Sequence, residues 1–285
     1  MTFDKIDFLI IGAAKSATTA LQRALQRDPS IFMPDPELHF FSREYERGHD
    51  WYLSQFSKAT PGTVAGEKSN SYLDTQAASS RIRHLLPHAK LIAQLRSPVE
   101  RAYSDYCMLY RRSQVGEDIG RQLDPRLAGE SRFLRGGLYH EQLRRFYDLY
   151  PSDQIKVILY EEFSNDPVRQ FNRVRHFIGL KGELSWSEGG ARVKDKTAPM
   201  LSADVRRRLA WLKPLVGPFR GTTAFKSFRG MLAREVTYPK LSQELRNRLI
   251  DFYAPEVEKL GVLLGRDLSS WLSDKPADPL GDARS

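Results

Sequence analysis

"FLIIGAAKSATTAL", residues 8–21, decides the fold. The apolar run over residues 6–12 is of the kind that fills a buried parallel strand. Leu21 and Leu25, four apart, predict a helix over residues 18–26. Between them lies a turn of small residues: Gly12, Ala13, Ala14, Ser16 and Ala17 let backbone close around a ligand. A strand, a small-residue turn and a helix make an anion site, because the first helical N–H groups lack partners and the helix dipole adds positive charge there. Thr18 and Thr19 add hydroxyl donors. Lys15 is the telling residue, since a cation just before a helix N-terminus is unfavourable unless an anion sits beside it. The plainer alternative is a solvated lysine in an ordinary strand–helix turn.

Outward from this stretch, strand and helix patterns alternate to about residue 180. "TVAGEKS" is a weak strand candidate, "AASSRIRHLLP" a helix, "AKLIAQLRSP" a strong strand, and "VERAYSDYCMLYRR" a helix with Pro98 suited to its first turn. "GGLYHEQLRRFYDLYP" is helical, "DQIKVILYEEF" a strand, and "DPVRQFNRVRHFIGL" a helix with Gly179 near its end. "DPSIFMPDPE", with three prolines, reads as a loop, and residues 113–135 as an irregular insertion. This alternation predicts an α/β fold in three layers, a central parallel sheet flanked by helices. Residues 185–200 look like loop, and "SQELRNRLIDFYAPEVEKLGVLLG" reads as a final helical pair divided near Pro255. With no separating linker visible, residues 1–272 are expected to form a single domain and residues 273–285 a flexible tail.

The 285 residues include one cysteine, Cys107, so an internal disulfide is excluded. No apolar run approaches the roughly 20 residues of a membrane span, and the chain opens without a basic leader and apolar segment. These features set an expectation of a cytoplasmic protein. The 44 Lys and Arg against 35 Asp and Glu leave a formal charge of +9, which favours an anionic partner without choosing one.

Two anion chemistries compete for the opening loop. In a Walker A loop counted from Gly12, Gly would stand at position 17 and Lys at 18; the chain has Ala17 and Thr18. The phosphate-clamping lysine of a kinase or ATPase is absent there, and no GxGxxG fingerprint is present. "GAAKSATTAL" instead resembles the 5′-phosphosulfate loop of sulfotransferases that use 3′-phosphoadenosine 5′-phosphosulfate, usually GxxKxGTT, with Ala17 where glycine is usual. "LRSPVERAYSDY", residues 95–106, is similar to the family's 3′-phosphate motif, with Arg96 at the strand end and Ser104 eight residues on. Arginine offers a charge-assisted fork to a phosphate. "PELHFFS" and "GEKSNSYL", residues 36–42 and 66–73, resemble active-site segments of the heparan-type, glycan-modifying branch. "GGLYHEQLRRFYDLYP" and "LGVLLGRDLSSW" resemble that branch and its bacterial relatives. Residues 113–135 and 183–235 match poorly. The resemblance implies a parallel sheet flanked by helices, with the nucleotide at the strands' C-terminal ends.

Sulfuryl transfer, like phosphoryl transfer, needs positioning, a base and cations. The resemblance implies Glu37 as the base, matching the glutamate of E-x-H-F-F. A glutamate near about 4.3 is ionised at neutral pH and can take a proton untuned. The phenol- and steroid-modifying branch instead uses the histidine of K-T-H; here those places hold Lys68, Ser69 and Asn70. His39 is the other candidate base, or it orients the loop beside the substrate. Lys15 and Lys68 would stabilise charge on the leaving phosphate, with Lys68 also facing the acceptor. Lys15, Ser16, Ala17, Thr18 and Thr19 would hold the 5′ end of the nucleotide, Arg96 and Ser104 the 3′ end, and Arg234 is a further candidate from "LAREVTYP". Tyr139 and His140 match a family segment and could simply pack. No metal is implied, since lysines supply the cationic charge and no ligand cluster stands out.

Residues 205–235 interleave basic and aromatic residues. They read as amphipathic helices with a solvated basic face, as a lid over an anionic acceptor, or as a membrane-surface contact. The acceptor stays open among carbohydrate, glycolipid and secondary-metabolite hydroxyl or amine, because fold does not fix substrate. A nucleotide kinase and a nucleic-acid-binding protein are the alternatives; no nucleic-acid motif supports the second, and no nucleic-acid partner is expected.

Overall fold

β1 (Phe8–Gly12) lies at the centre of a five-stranded parallel sheet. The strand order is β2 (Ile31–Phe32), β3 (Val64–Lys68), β1, β4 (Lys90–Leu95) and β5 (Ile155–Leu159). The computed structural model describes residues 2–128, 131–184 and 237–273. Every residue of β1 is buried, because helices cover both faces of the sheet. Phe8 and Ile10 join Ile92 and Ile158 under α1 (Thr18–Leu25) and, late in the chain, the helix Pro167–Phe177. Leu9 and Ile11 join Leu91, Ala93 and Leu95 on the other face. That face carries α2 (Gly48–Ser54), α3 (Ser71–Asp74), α4 (Ala78–Leu85) and α5 (Pro98–Arg111). The three layers expected from the alternation are present, and Pro98 opens α5 as expected.

Four local readings need correction. The proline-rich loop contains the two-residue edge strand β2, paired with β3. The stretch read as an irregular insertion holds three short helices, α6 (Ile119–Leu123), α7 (Pro125–Ala128) and α8 (Arg132–Arg135). Asp118 and Ser131 cap α6 and α8 through Arg121 N and Leu134 N, and Leu123, Phe133 and Leu134 are buried. β5 ends at Leu159; Tyr160–Asn165 turn into α10, after α9 (Tyr139–Tyr147), and Pro167–Phe177 is α11. The expected final pair is one continuous helix, α12 (Gln243–Leu264). Pro255 is exposed, as is Asp251, whose carbonyl the proline leaves without its N–H, so water can take that carbonyl and the helix runs on. Of the expected tail, residues 273–285, all but Ser273 lie outside the described residues, as do 185–236.

The topology fixes where a ligand goes. From β1 the chain moves to one side, to β2 and then β3, and only then crosses to β4 on the other side. The crevice at the C-terminal ends of β1 and β4 is therefore the switch point where open α/β sheets bind ligands. Register slips there: Ile10 pairs with Ile92 but Gly12 with Ala93. Gly12 has φ +150°, and a Cβ on it would lie 2.9 Å from Leu73 Cβ and 3.1 Å from Asn70 O. Glycine thus lets the start of α3 press against the end of β1.

Candidate active site

The turn after β1 forms a cradle at the start of α1. Ala17, at the N-cap of α1, is left-handed (φ 64°, ψ 18°) and has no side chain to cap the helix. Lys15 is also left-handed, at φ 74°. The first N–H groups of α1 therefore keep their claim on an acceptor from outside. Ser16 is wholly buried, and its hydroxyl has no well-formed hydrogen bond. Tyr139, at the start of α9, has its buried hydroxyl in the same condition. An uncapped helix start, a half-buried lysine and an orphaned buried hydroxyl fit the phosphosulfate end of a nucleotide.

β3 brings in the second part. Its pairing sets Glu67 beside Leu9 and Lys68 beside Ile10, so the two side chains leave by opposite faces. Lys68 emerges on the α1 side, where Nζ donates to Glu37 Oε1 at 2.7 Å and to Thr19 Oγ1 at 3.3 Å. One buried ammonium thus touches both the candidate base and the phosphate-facing helix. Asn70 completes the grip on Glu37: its backbone N–H donates to Oε2 at 3.0 Å and its Nδ2 to Oε1 at 3.3 Å. Thr18, in the Walker lysine's place, gives its hydroxyl to Asn70 Oδ1 at 2.7 Å.

His39 Nε2 lies 3.8 Å from Glu37 Oε2, and Nδ1 shares a 2.7 Å hydrogen bond with Ser71 Oγ. Burial pushes the Glu37 pKa up, but the Lys68 charge, its hydrogen bond and the Asn70 N–H outweigh burial and hold the carboxyl below its ordinary value. Burial lowers His39, against the pull of Glu37, so the ring is neutral at pH 7. The geometry keeps Glu37 ionised and poised, with a neutral imidazole beside it.

At the 3′ side, Arg96 is buried just past β4. Its Nη2 is 3.7 Å from Glu100 Oε2, and its guanidinium lies 4.6 Å from the Tyr160 ring centre. Ser104 sits two turns further along α5, half-buried. Glu100 is also 2.7 Å from Arg246 Nη1 on α12, so a second arginine comes to this corner from 150 residues away. Only tertiary structure reveals Arg246; in sequence it is one more arginine on a helix. Arg234 and the basic stretch 205–235 lie outside the described residues. His140 is 3.9 Å from Glu256, a tie between α9 and α12. The described residues contain no His, Cys, Asp and Glu grouping able to hold a metal. None of the described helices is long and apolar enough to cross a membrane.

Residues 5–194 match the sulfotransferase domain family. Human heparan sulfate glucosamine 3-O-sulfotransferase 6 is 30% identical over 268 residues, covering 91% of this chain and 72% of that protein. The bovine bifunctional heparan sulfate N-deacetylase/N-sulfotransferase 2 is 28% identical over 94% of this chain, which spans 31% of its length. A solved sulfotransferase from Alicyclobacillus acidocaldarius superposes with TM-score 0.66 at 27% identity, covering 94% of this chain and 99% of its own. The chain belongs to the sulfotransferase family, the enzymes that draw their sulfuryl group from 3′-phosphoadenosine 5′-phosphosulfate.

Proposed function

We propose that this enzyme transfers the sulfuryl group of 3′-phosphoadenosine 5′-phosphosulfate to a carbohydrate hydroxyl, with Glu37 as base and Lys15 and Lys68 stabilising charge. The observation that carries the reading is the Lys68 ammonium held between Glu37 and Thr19. That these relatives are a heparan sulfate glucosamine 3-O-sulfotransferase and a heparan sulfate N-deacetylase/N-sulfotransferase supports the carbohydrate acceptor.

Glu37 takes the proton of the acceptor hydroxyl as that oxygen bonds to sulfur. The bond from sulfur to the 5′-phosphate oxygen breaks, and its electron pair stays on the phosphate. Lys68 is paired with the carboxylate before transfer and lies next to the leaving oxygen's cradle, so it stabilises charge at both ends of the step. Lys15 and the open N–H groups of α1 hold the same oxygen. Ser16, Thr18 and Thr19 line this end, and Arg96 with Ser104 takes the 3′-phosphate. For Arg96 that means exchanging Glu100 for a closer anion. His39, neutral, orients the acceptor beside Glu37.

Calorimetry with 3′-phosphoadenosine 5′-phosphate and transfer of labelled sulfate to glucosamine-containing glycans test this. The parent binds the nucleotide at micromolar or tighter levels without metal, and Arg96→Ala loses most of that affinity. Glu37→Gln binds as the parent does and loses kcat by a factor on the order of 10²–10⁴. No nucleotide binding by the parent, or undiminished transfer by Glu37→Gln, overturns the assignment.

A further inference from the structure

Glu67 is a buried carboxyl that the transfer step does not use. It is 1% exposed, on the face of β3 opposite Lys68. Among the described residues, no cation pairs with it in the way Lys68 pairs with Glu37. Its partners are hydroxyls: Tyr72 donates to Oε1 at 2.5 Å, Tyr52 to the same oxygen at 3.5 Å, and Ser69 Oγ to Oε2 at 2.8 Å. Burying a carboxyl is costly, and a residue kept only to fill space would be apolar.

Ser69 is the way out of this nest. It is wholly buried and, while donating to Glu67, accepts the backbone N–H of His39 at 2.8 Å. His39 is left-handed at φ 53°, a conformation that costs a residue with a Cβ roughly 1–2 kcal/mol and persists only where its surroundings impose it. The surroundings here are explicit. The His39 carbonyl accepts from the N–H groups of Ser42, Arg43 and Glu44 at 3.2, 2.9 and 3.1 Å. The ring is tied to Ser71, which is 2.6 Å from Ser42 Oγ. The N–H of His39 is held by Ser69. Residues 69–71 therefore clamp residues 37–39, and the Ser69 link is the one set from below by a charge.

We propose that Glu67 is a positioning residue of the transfer reaction: through the Ser69 hydroxyl it fixes the backbone at His39, and so aims the loop that carries Glu37. The proposal rests on the reading of Glu37 as base. An ionised carboxylate only accepts, so it forces the Ser69 proton toward itself and leaves a lone pair for His39 N–H. A proton on Oε2 would compete for that hydroxyl and weaken the link. The groups facing Glu67 are Tyr52 from α2, Ser69 and Tyr72 from the β3–α3 turn and α3, and the charge of Glu37 from the loop. Burial raises the Glu67 pKa most, the Glu37 charge adds to it, and the hydroxyl donors oppose both, leaving a value of about 7. The aim of the loop is thus sensitive to pH in the neutral range.

The test compares parent, Glu37→Gln, Glu67→Gln, Ser69→Ala and Ser69→Thr in kcat, acceptor KM, nucleotide affinity and amide hydrogen exchange across residues 37–44. Glutamine is nearly isosteric, but either orientation of its amide sets an N–H against a hydroxyl that now donates. Ser69→Ala and Glu67→Gln should each lower kcat by about 10- to 100-fold, the scale of a slightly misplaced catalytic group. Nucleotide affinity should stay within about twofold of the parent. The His39 amide should exchange at least about tenfold faster in Ser69→Ala, as expected when its acceptor is removed. Ser69→Thr, which keeps the hydroxyl, should restore most of kcat. The parent's kcat should fall below neutral pH, and Glu67→Gln should lose that fall. A merely structural Glu67 would lower thermal stability and leave kcat per folded molecule and its pH profile alone. Parental kcat in Ser69→Ala and Glu67→Gln, with Glu37→Gln inactive, overturns the positioning role. Parental kcat in Glu37→Gln overturns the base assignment instead.

Discussion

Glu37 and Glu67 lie on opposite faces of β3, and their surroundings drive their acidities apart. Glu67 is wholly taken out of water and Glu37 in part. Glu37 meets an ammonium at 2.7 Å and two N–H donors, and settles below the ordinary carboxylate value. Glu67 meets only hydroxyls and is pushed up to about 7. The difference shows what burial alone does to a carboxyl and what a full charge of opposite sign undoes. The end of β3 thereby holds the loop's Glu37 as a carboxylate fit to be a base and supplies in Glu67 a second carboxyl fit to be a structural relay, the kind of separation by which one site assigns roles to like groups.

The comparison breaks most sharply at Lys68. Lys68→Met removes the cation while keeping a long side chain, so Glu37 should then resemble Glu67 and rise. Isotope-edited NMR of the glutamate carboxyls reads both titrations in one spectrum. Glu37 should move up in the variant and Glu67 should stay near its parental midpoint. Loss of one positive charge beside the leaving oxygen should also cost a factor on the order of 10²–10³ in kcat. A Glu37 titration unmoved in Lys68→Met would show that the loop, not the lysine, sets its acidity.

Stability against pH sharpens the same contrast. Glu67 has a folded value of about 7, above the unfolded value of about 4.5, so the unfolded chain gives up its proton first as pH rises. The stabilisation is fully present below the unfolded value and is lost as pH climbs to about 7, a loss on the order of 3 kcal/mol. Glu37 has the opposite sign: its contribution is present above the unfolded value and is lost as pH falls through its depressed folded value. Urea unfolding of parent and Glu67→Gln from pH 4 to pH 8 isolates the first of these. The parent should lose stability relative to the variant across that range. Parallel curves would mean that Glu67 titrates in the folded protein as it does in water.

Much of the Glu37 side was legible in the sequence, and little of the Glu67 side was. β1, its loop and α1 show themselves through a continuous apolar run and a cluster of small residues, and β4 and α5 through a run closed by Arg96 and Pro98. Lys68 and Glu37 carry motif resemblance. "GEKSN" marks Glu67 only as a charged residue near a strand end, because its meaning lies in Tyr52 and Tyr72, placed beside it by α2 and α3. Arg246 is hidden in the same way, defined by Glu100 across the fold. Local pattern also misled where a proline or a polar composition had a tertiary answer. The exposed Pro255 leaves α12 unbroken, and the insertion folds into short capped helices around Leu123, Phe133 and Leu134.

The smallest expected effect carries the contrast from side chains to backbone. Ala17 and His39 are both left-handed residues with a Cβ, at φ 64° and 53°. His39 is held by the Ser69 hydroxyl, three backbone N–H groups and Ser71, whereas no side chain of Ala17 secures the start of α1. Glycine at position 17 relieves left-handed strain of roughly 1–2 kcal/mol and costs about 0.4–1 kcal/mol in unfolded-chain entropy. Ala17→Gly should therefore gain about 0.5 kcal/mol, a rise in Tm of roughly 1–2 °C for a chain of this size. His39→Gly should go the other way despite relieving the same strain, because it removes the ring that ties the loop to Ser71. Scanning calorimetry of the two variants decides the matter. A fall in Tm for Ala17→Gly would mean that the turn needs its methyl group, and that strain at the phosphate loop is balanced by packing rather than left to the bound anion.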